Sequence, residues 1–413
     1  MQFHPRAVMV VLSGSGLAAL SAMLMQLALL LQSPLADYGF FAFVQVVQGL
    51  LIGVSSALFS APLLSRWQSA AQHTPIATGS YFMLQLLFVA VSFGLVFVLT
   101  LYYQFSWLTA AWLALAAALQ LWRWFARSLL QNTVNTRALV QSDAIFSLLA
   151  LAGTALLWLT QQISLLHLAQ LNALAAAGSL LLSGEHFWQQ HRQMWQQRDW
   201  RQWQQGWQQQ AKPALVGVLS AESAANAHSY LITLLAGPAA FAPIAAASML
   251  YRPAALLLTN LSQLCRGQLQ QAWRQQQPLS ALLRHYRMQC LWLWGANSAI
   301  LLLLLWICAE PLDHWLQAKQ FVPADFLLAV LLWGILTLQR AWRSSAAIQL
   351  QVYNQFAALA HTALWPALLS VALVLVFLQF LPAVWSLLAV ILSELWMAWL
   401  LRRAVQRITV GSE

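Results

Sequence analysis

The chain has 413 residues, of which 61% are hydrophobic and only 7% are charged. A soluble domain usually gives about a quarter of its residues to charge, so a fully water-facing surface is excluded and most of this one must face lipid. The net charge of +10 does not mark a nucleic-acid binder, because the basic residues stand singly between apolar runs and form no stripe.

A membrane-spanning helix needs about 20 apolar residues. The first apolar run, Ala7 to Leu31, is too long for the core of a signal peptide and reads as a span. Five more follow at 39–64, 80–101, 107–126, 138–160 and 163–184. After a polar interruption come 213–235, 239–264, 286–308, 324–345, 356–380 and 384–401. The expectation is an all-α polytopic membrane protein of about twelve transmembrane helices.

The basic residues test this count. With the N-terminus inside, the cytoplasmic segments collect nearly all of them, from Arg6 and Arg66 through Arg266 and Arg274 to Arg402, Arg403 and Arg407. The outer loops hold Asp37, Glu310, Asp313 and Asp325, with Lys319 as their basic exception. This asymmetry places both termini in the cytoplasm, and an odd number of spans would destroy it.

The interruption at 185–212 is rich in Gln and carries Trp188, Trp195, Trp200, Trp203 and Trp207. Tryptophan favours the headgroup region, so an amphipathic helix lying on the cytoplasmic leaflet is expected. It divides the chain into an N-terminal six-helix bundle (1–184), a linker (185–212) and a C-terminal six-helix bundle (213–413). Weak internal similarity supports two halves. Ser33 to Phe40 and Ala236 to Ala242 each place a small/Pro turn just before an aromatic that opens a long helix. Two halves in the same orientation form a parallel repeat, with substrate expected near the midplane.

A charge within a span needs a reason. Asp143, Glu222, Arg252 and Glu394 qualify. Glu222 and Arg252 fall near mid-depth of adjacent spans and read either as a cavity pair or as a strut. Glu222, Asn226, Ser229 and Thr233 share one helical face, which suggests a water-filled cavity. Arg252 offers a guanidinium fork suited to phosphate oxygens, and Pro253 should loosen the helix there. Arg123 and Arg127 end a span one turn apart, as anchors or as substrate contacts. Asp143 and Glu394 are candidates for ion coupling, or partners for nearby arginines. Gln48, with Gln45 and Ser55 on roughly one face of its helix, reads equally as cavity lining or as a source of interhelical hydrogen bonds. The candidate substrate-binding residues are therefore Arg252, Asn226, Ser229, Arg123 and Gln48, and the coupling candidates Glu222, Asp143 and Glu394. Cys265, Cys290 and Cys308 lie far apart, and no Cys/His cluster has metal-ligand spacing. No cofactor is expected, while coupling to a proton or sodium gradient stays open.

The stretch Leu29 to Ala42, with Ser33-Pro34-Leu35-Ala36-Asp37-Tyr38-Gly39-Phe40-Phe41, resembles the first hairpin of O-antigen-type (Wzx-like) polysaccharide flippases. These belong to the multidrug/oligosaccharidyl-lipid/polysaccharide exporter superfamily. Ala245 to Pro253 resembles their eighth helix, whereas Gln32 stands where the family often has a basic residue. The resemblance implies a V-shaped pair of six-helix bundles in the bacterial inner membrane. It implies translocation of an undecaprenyl-diphosphate-linked glycan by alternating access for surface polysaccharide synthesis, beside a polymerase and glycosyltransferases. The alternative is an ion-coupled multidrug (MATE-like) exporter. A glycan-handling enzyme would want a large catalytic outer loop, and the longest here, roughly 309–323, is short.

Overall fold

The computed structural model describes residues 5–63, 78–132, 136–196, 198–353 and 355–410. Arg66 of the basic-residue count lies outside them, as do the side chains of Arg6 and Arg274. Among the described residues the protein is all-helical, 90% helix without strands, in a twelve-span, two-bundle architecture.

The helices of the first half are α1 (Pro5–Gln32), α2 (Leu35–Ser55), α3 (Gly79–Tyr102), α4 (Trp107–Asn132), α5 (Thr136–Leu159) and α6 (Leu165–Leu181). A π-helical turn, Ser56–Ser60, prolongs α2. The Gln/Trp-rich segment forms two short helices, α7 (Glu185–Gln193) and α8 (Trp200–Gly206), rather than one. Asp199 causes the restart: its carboxylate accepts from the backbone N–H groups of Arg201 and Gln202 and caps α8. The second half contains α9 (Lys212–Ala236), α10 (Pro238–Met249), α11 (Arg252–Arg274), α12 (Ser280–Ile307), α13 (Ala309–Ala318), α14 (Pro323–Val352), α15 (Phe356–Phe380) and α16 (Ser386–Val410).

Helix α3 shows why these helices belong in lipid. It buries Ser80, Gln85, Ser92 and Thr100 while Leu87, Val91, Leu95 and Val98 are 49–65% exposed. That is the reverse of a soluble helix. Among the described residues, seven helices are long and apolar enough to cross a bilayer alone, and the bent pair α10–α11 makes an eighth. Helices α4 and α9 miss that test because they carry polar and charged side chains, of which Gln120 and Arg123 of α4 meet Asn172 and Asp143 and His228 of α9 packs on the Trp333 ring.

Two compact units emerge. One comprises residues Met1–Ser33 and Val44–Val218, the other Pro34–Phe43 and Leu219–Glu413. The first packs α4 against α3 and α6, and α5 against α1 and α6. Helices α7 and α8 lie on α3, where Phe187, Trp188 and Trp203 join Phe82 and Phe125 in one apolar cluster. Trp195 and Trp200 stay exposed.

The second unit centres on α14, which touches α10, α11, α12 and α16. Gly39 sits so close to the Pro238 carbonyl that a Cβ would collide with it. Tyr38, Phe40 and Phe41 beside it are buried, and the Tyr38 hydroxyl donates to Met249 Sδ at 3.1 Å. The aromatic/glycine stretch seen in the sequence is thus a close helix contact.

Candidate functional site

In the first unit the buried charges form one cluster. Arg123 Nη2 donates to Asp143 Oδ1 at 2.7 Å, and Arg127 Nε lies 3.1 Å from Oδ2. The two arginines stand one turn apart on α4 and so point to the same carboxylate on α5. Arg123 Nε also donates to Ser179 Oγ at 2.8 Å, its Nη1 reaches Gln120 Oε1, and its guanidinium lies 4.0 Å from the Phe146 ring centroid. Ser179 exchanges a 2.7 Å bond with Ser142, and Gln120 donates to Asn172 at 2.7 Å. Arg123 and Asp143, expected as a substrate contact and a coupling group, are therefore bound to each other in a polar core. Gln48 is buried in the same unit.

Next to this cluster the linker contributes His191. Its Nε2 accepts from the Trp122 indole N–H at 3.0 Å, so Nδ1 carries the proton and donates to Phe187 O at 2.9 Å. Phe82, Phe187 and Trp188 enclose the ring. Burial lowers its pKa below the ordinary value of 6.5, with the bond to Phe187 opposing the shift.

The second unit has a cluster of the same composition. Glu394 on α16 meets Arg340 Nε at 3.3 Å and Arg343 Nε at 2.6 Å. Arg340 Nη2 also donates to the Ala225 carbonyl at 3.0 Å, which ties α9 to α14 and α16. Glu394 is fully buried, but the side chains of Arg340 and Arg343 are 31% and 22% exposed. Both arginines border a cavity of about 350 Å³, together with Ser262, Arg266, Ser344 and Gln351.

Glu222 and Arg252 do not form an ion pair among the described residues. Glu222 Oε2 instead accepts from Asn226 Nδ2 at 2.6 Å, one turn along α9, and its charge acts on Arg340. Arg252 opens α11, where the eighth span is broken: α10 and the start of α11 are bent by 60°. Pro253 at the second position of α11 cannot continue the hydrogen bonding of α10. Arg252 there neighbours Tyr38. Equal depth along two helices placed Glu222 and Arg252 together in the sequence reading, whereas helix rotation and the break direct them to different neighbours.

The polar face of α9 also divides. Glu222 and Asn226 are half-buried, whereas Ser229 and Thr233 are buried and the Ser229 hydroxyl shares a 3.1 Å bond with His228. Its packed end is not an open channel wall. Arg340 and Arg343 went unassigned to any site by sequence because they also fit the positive-inside count. The signal that marks them is a lone acid in a span, Glu394, with a pair of arginines at one-turn spacing elsewhere in the half.

Comparison with known proteins places the architecture. No family model matches the chain, and no curated protein matches it in sequence. Among solved structures, an inward-facing multidrug resistance MATE family transporter of the MOP superfamily aligns with a TM-score of 0.67 at 11% identity, over 98% of this chain and 100% of its own. The chain has a MATE-like fold. A Vibrio cholerae MATE transporter aligns at 16% identity and TM-score 0.61, over 99% of this chain and 97% of that one. A MOP superfamily transporter from Pyrococcus furiosus, described as having a binding pocket of reverse polarity, aligns at 12% identity and TM-score 0.62, covering 98% and 95%.

Proposed function

We propose that the chain is an alternating-access, MATE-like exporter that moves an amphipathic substrate out of a bacterial cytoplasm. The observation that most supports this reading is the fold, which covers 98% of the chain against both inward- and outward-facing MATE structures. Ion coupling falls to Glu222. It is half-buried and held by Asn226, whereas Asp143 and Glu394 are each neutralised by two arginines. In proteoliposomes, Glu222→Gln should abolish the response of export to an imposed proton or sodium gradient while the protein still inserts and folds. An unchanged response removes Glu222 from coupling.

A second reading is the flippase for undecaprenyl-diphosphate-linked oligosaccharide in the inner membrane. Its specific support is Arg252, a cation at the break of a span with no ion pair among the described residues. A lipid diphosphate would satisfy that guanidinium. In a host that carries this gene and displays a surface glycan, Arg252→Ala should abolish display without loss of the protein from the membrane. Normal glycan display after deletion of the whole gene, with increased sensitivity to amphipathic drugs, would leave the exporter reading alone.

A further inference from the structure

We propose that the cavity between α11 and α14 is a binding site for a phosphate group. Its wall is cationic. Arg266, Arg340 and Arg343 all line it, and Arg287 stands on its flank through a 3.1 Å bond from its Nε to Ser345. Against the three lining guanidinium groups stand Glu394, which pairs with two of them, and Glu222, whose charge acts on Arg340. Three positive charges less two negative ones still leave a positive cavity before Arg287 is counted.

Arg266 supplies the freest donors, whereas Arg340 and Arg343 contribute mainly charge, since their nitrogens already meet Glu394, Ala225 O and Met397 Sδ. Arg266 is exposed, and its bond to Gln351 is a long one of 3.4 Å, so most of its fork points to no protein acceptor among the described residues. Arg340 and Arg343 keep exposed edges although their partner carboxylate is fully buried. Ser262 and Ser344 also line the wall, but their hydroxyls donate to the Thr259 and Ala341 carbonyls, so the guanidinium groups carry the recognition. Guanidinium forks match the oxygens of a phosphate. At about 350 Å³ the space takes a phosphate and the first atoms of its ester, not an acyl chain.

Two sources offer that group. The site lies in the last half of α14, toward the end that the positive-inside count assigns to the cytoplasm. A phospholipid headgroup of the inner leaflet and a soluble phosphate both reach it there. The proposal is independent of either transport reading, since neither a transported substrate nor a gradient enters its test.

The test uses the purified full-length chain in nanodiscs. One arm titrates inorganic phosphate into phosphatidylcholine discs, and the other replaces phosphatidylcholine with phosphatidylglycerol. Thermal unfolding and the apparent affinity are read in both. Arg266→Glu is the informative variant because Arg266 compensates no buried acid, and Arg266→Gln serves if the charge reversal fails to fold. Wild type should be stabilised in at least one arm, with an affinity loss of about tenfold or more in the variant. Stabilisation by phosphatidylglycerol alone assigns a lipid site, and by inorganic phosphate alone a soluble one. No stabilisation of wild type in either arm, or equal response of wild type and variant, overturns the proposal.

Discussion

The two arginine–carboxylate clusters share a composition and differ in their surroundings. Around Asp143 the three side chains are no more than 9% exposed, while around Glu394 the arginines are 22% and 31% exposed. Each trio carries one excess positive charge. In the first unit, Ser179 and Gln120 absorb it as fixed dipoles and the Phe146 ring through its quadrupole. In the second, the excess charge faces a cavity where water or an anion supplies the balance. The same ionic motif is thus a dry strut in one unit and a strut with a wet edge in the other.

Removing each carboxylate sharpens this contrast. Asp143→Asn leaves two buried guanidinium groups without a counter-charge, and breaking such a set typically costs about 3–5 kcal/mol. Unfolding of the purified variant in detergent should show that loss, together with reduced accumulation in the membrane. Glu394→Gln should be milder, at about 1–3 kcal/mol, because Arg340 and Arg343 can rehydrate through the cavity. Equal losses at both positions would erase the distinction between dry and wet clusters.

The smallest effect concerns the first unit's rim, where Trp122 precedes Arg123 and donates to His191. The His191 pKa is lowered in the folded state, so the unfolded chain binds its proton more readily. That contribution to stability is complete above the ordinary value of 6.5 and is lost as pH falls through the lower, folded-state value. Comparing unfolding temperatures at pH 8 and pH 5 should show a drop for wild type that is smaller in His191→Gln. An identical drop in both would place the titration elsewhere.

Much of the fold was legible in the sequence, because lipid imposes long apolar runs and a charge bias that are readable without tertiary information. The break at Pro253 was legible for a local reason, the missing N–H. The pairings were not. Glu222 and Arg252 agreed in depth, but periodicity gives no rotation of one helix against another, and Asn226 took up Glu222 instead. Arg340 and Arg343 satisfied the positive-inside count near the inner end of the expected span 324–345, and only the packing of α14 on α16 turns both toward Glu394. The linker's tryptophans suggested a headgroup helix, whereas the cluster around Phe82 needs partners from α3 and α4 that no local pattern announces.

The elbow between α10 and α11 has a consequence for how the chain enters the membrane. Helix α10 has 12 residues and is about 18 Å long, well short of a hydrocarbon core of about 30 Å. It must be threaded together with the first turns of α11, which carry Arg252 through the same exit. A segment with a charge and a proline at its middle is a poor candidate for stable insertion on its own. Carbonyls around the elbow receive side-chain donors that arrive only later in synthesis, Trp333 Nε1 at Ile244 O and Asn297 Nδ2 at Leu250 O. This broken span must therefore wait, sheltered, until α12 and α14 have emerged, and biogenesis of the second half is a collective event rather than a succession of independent insertions.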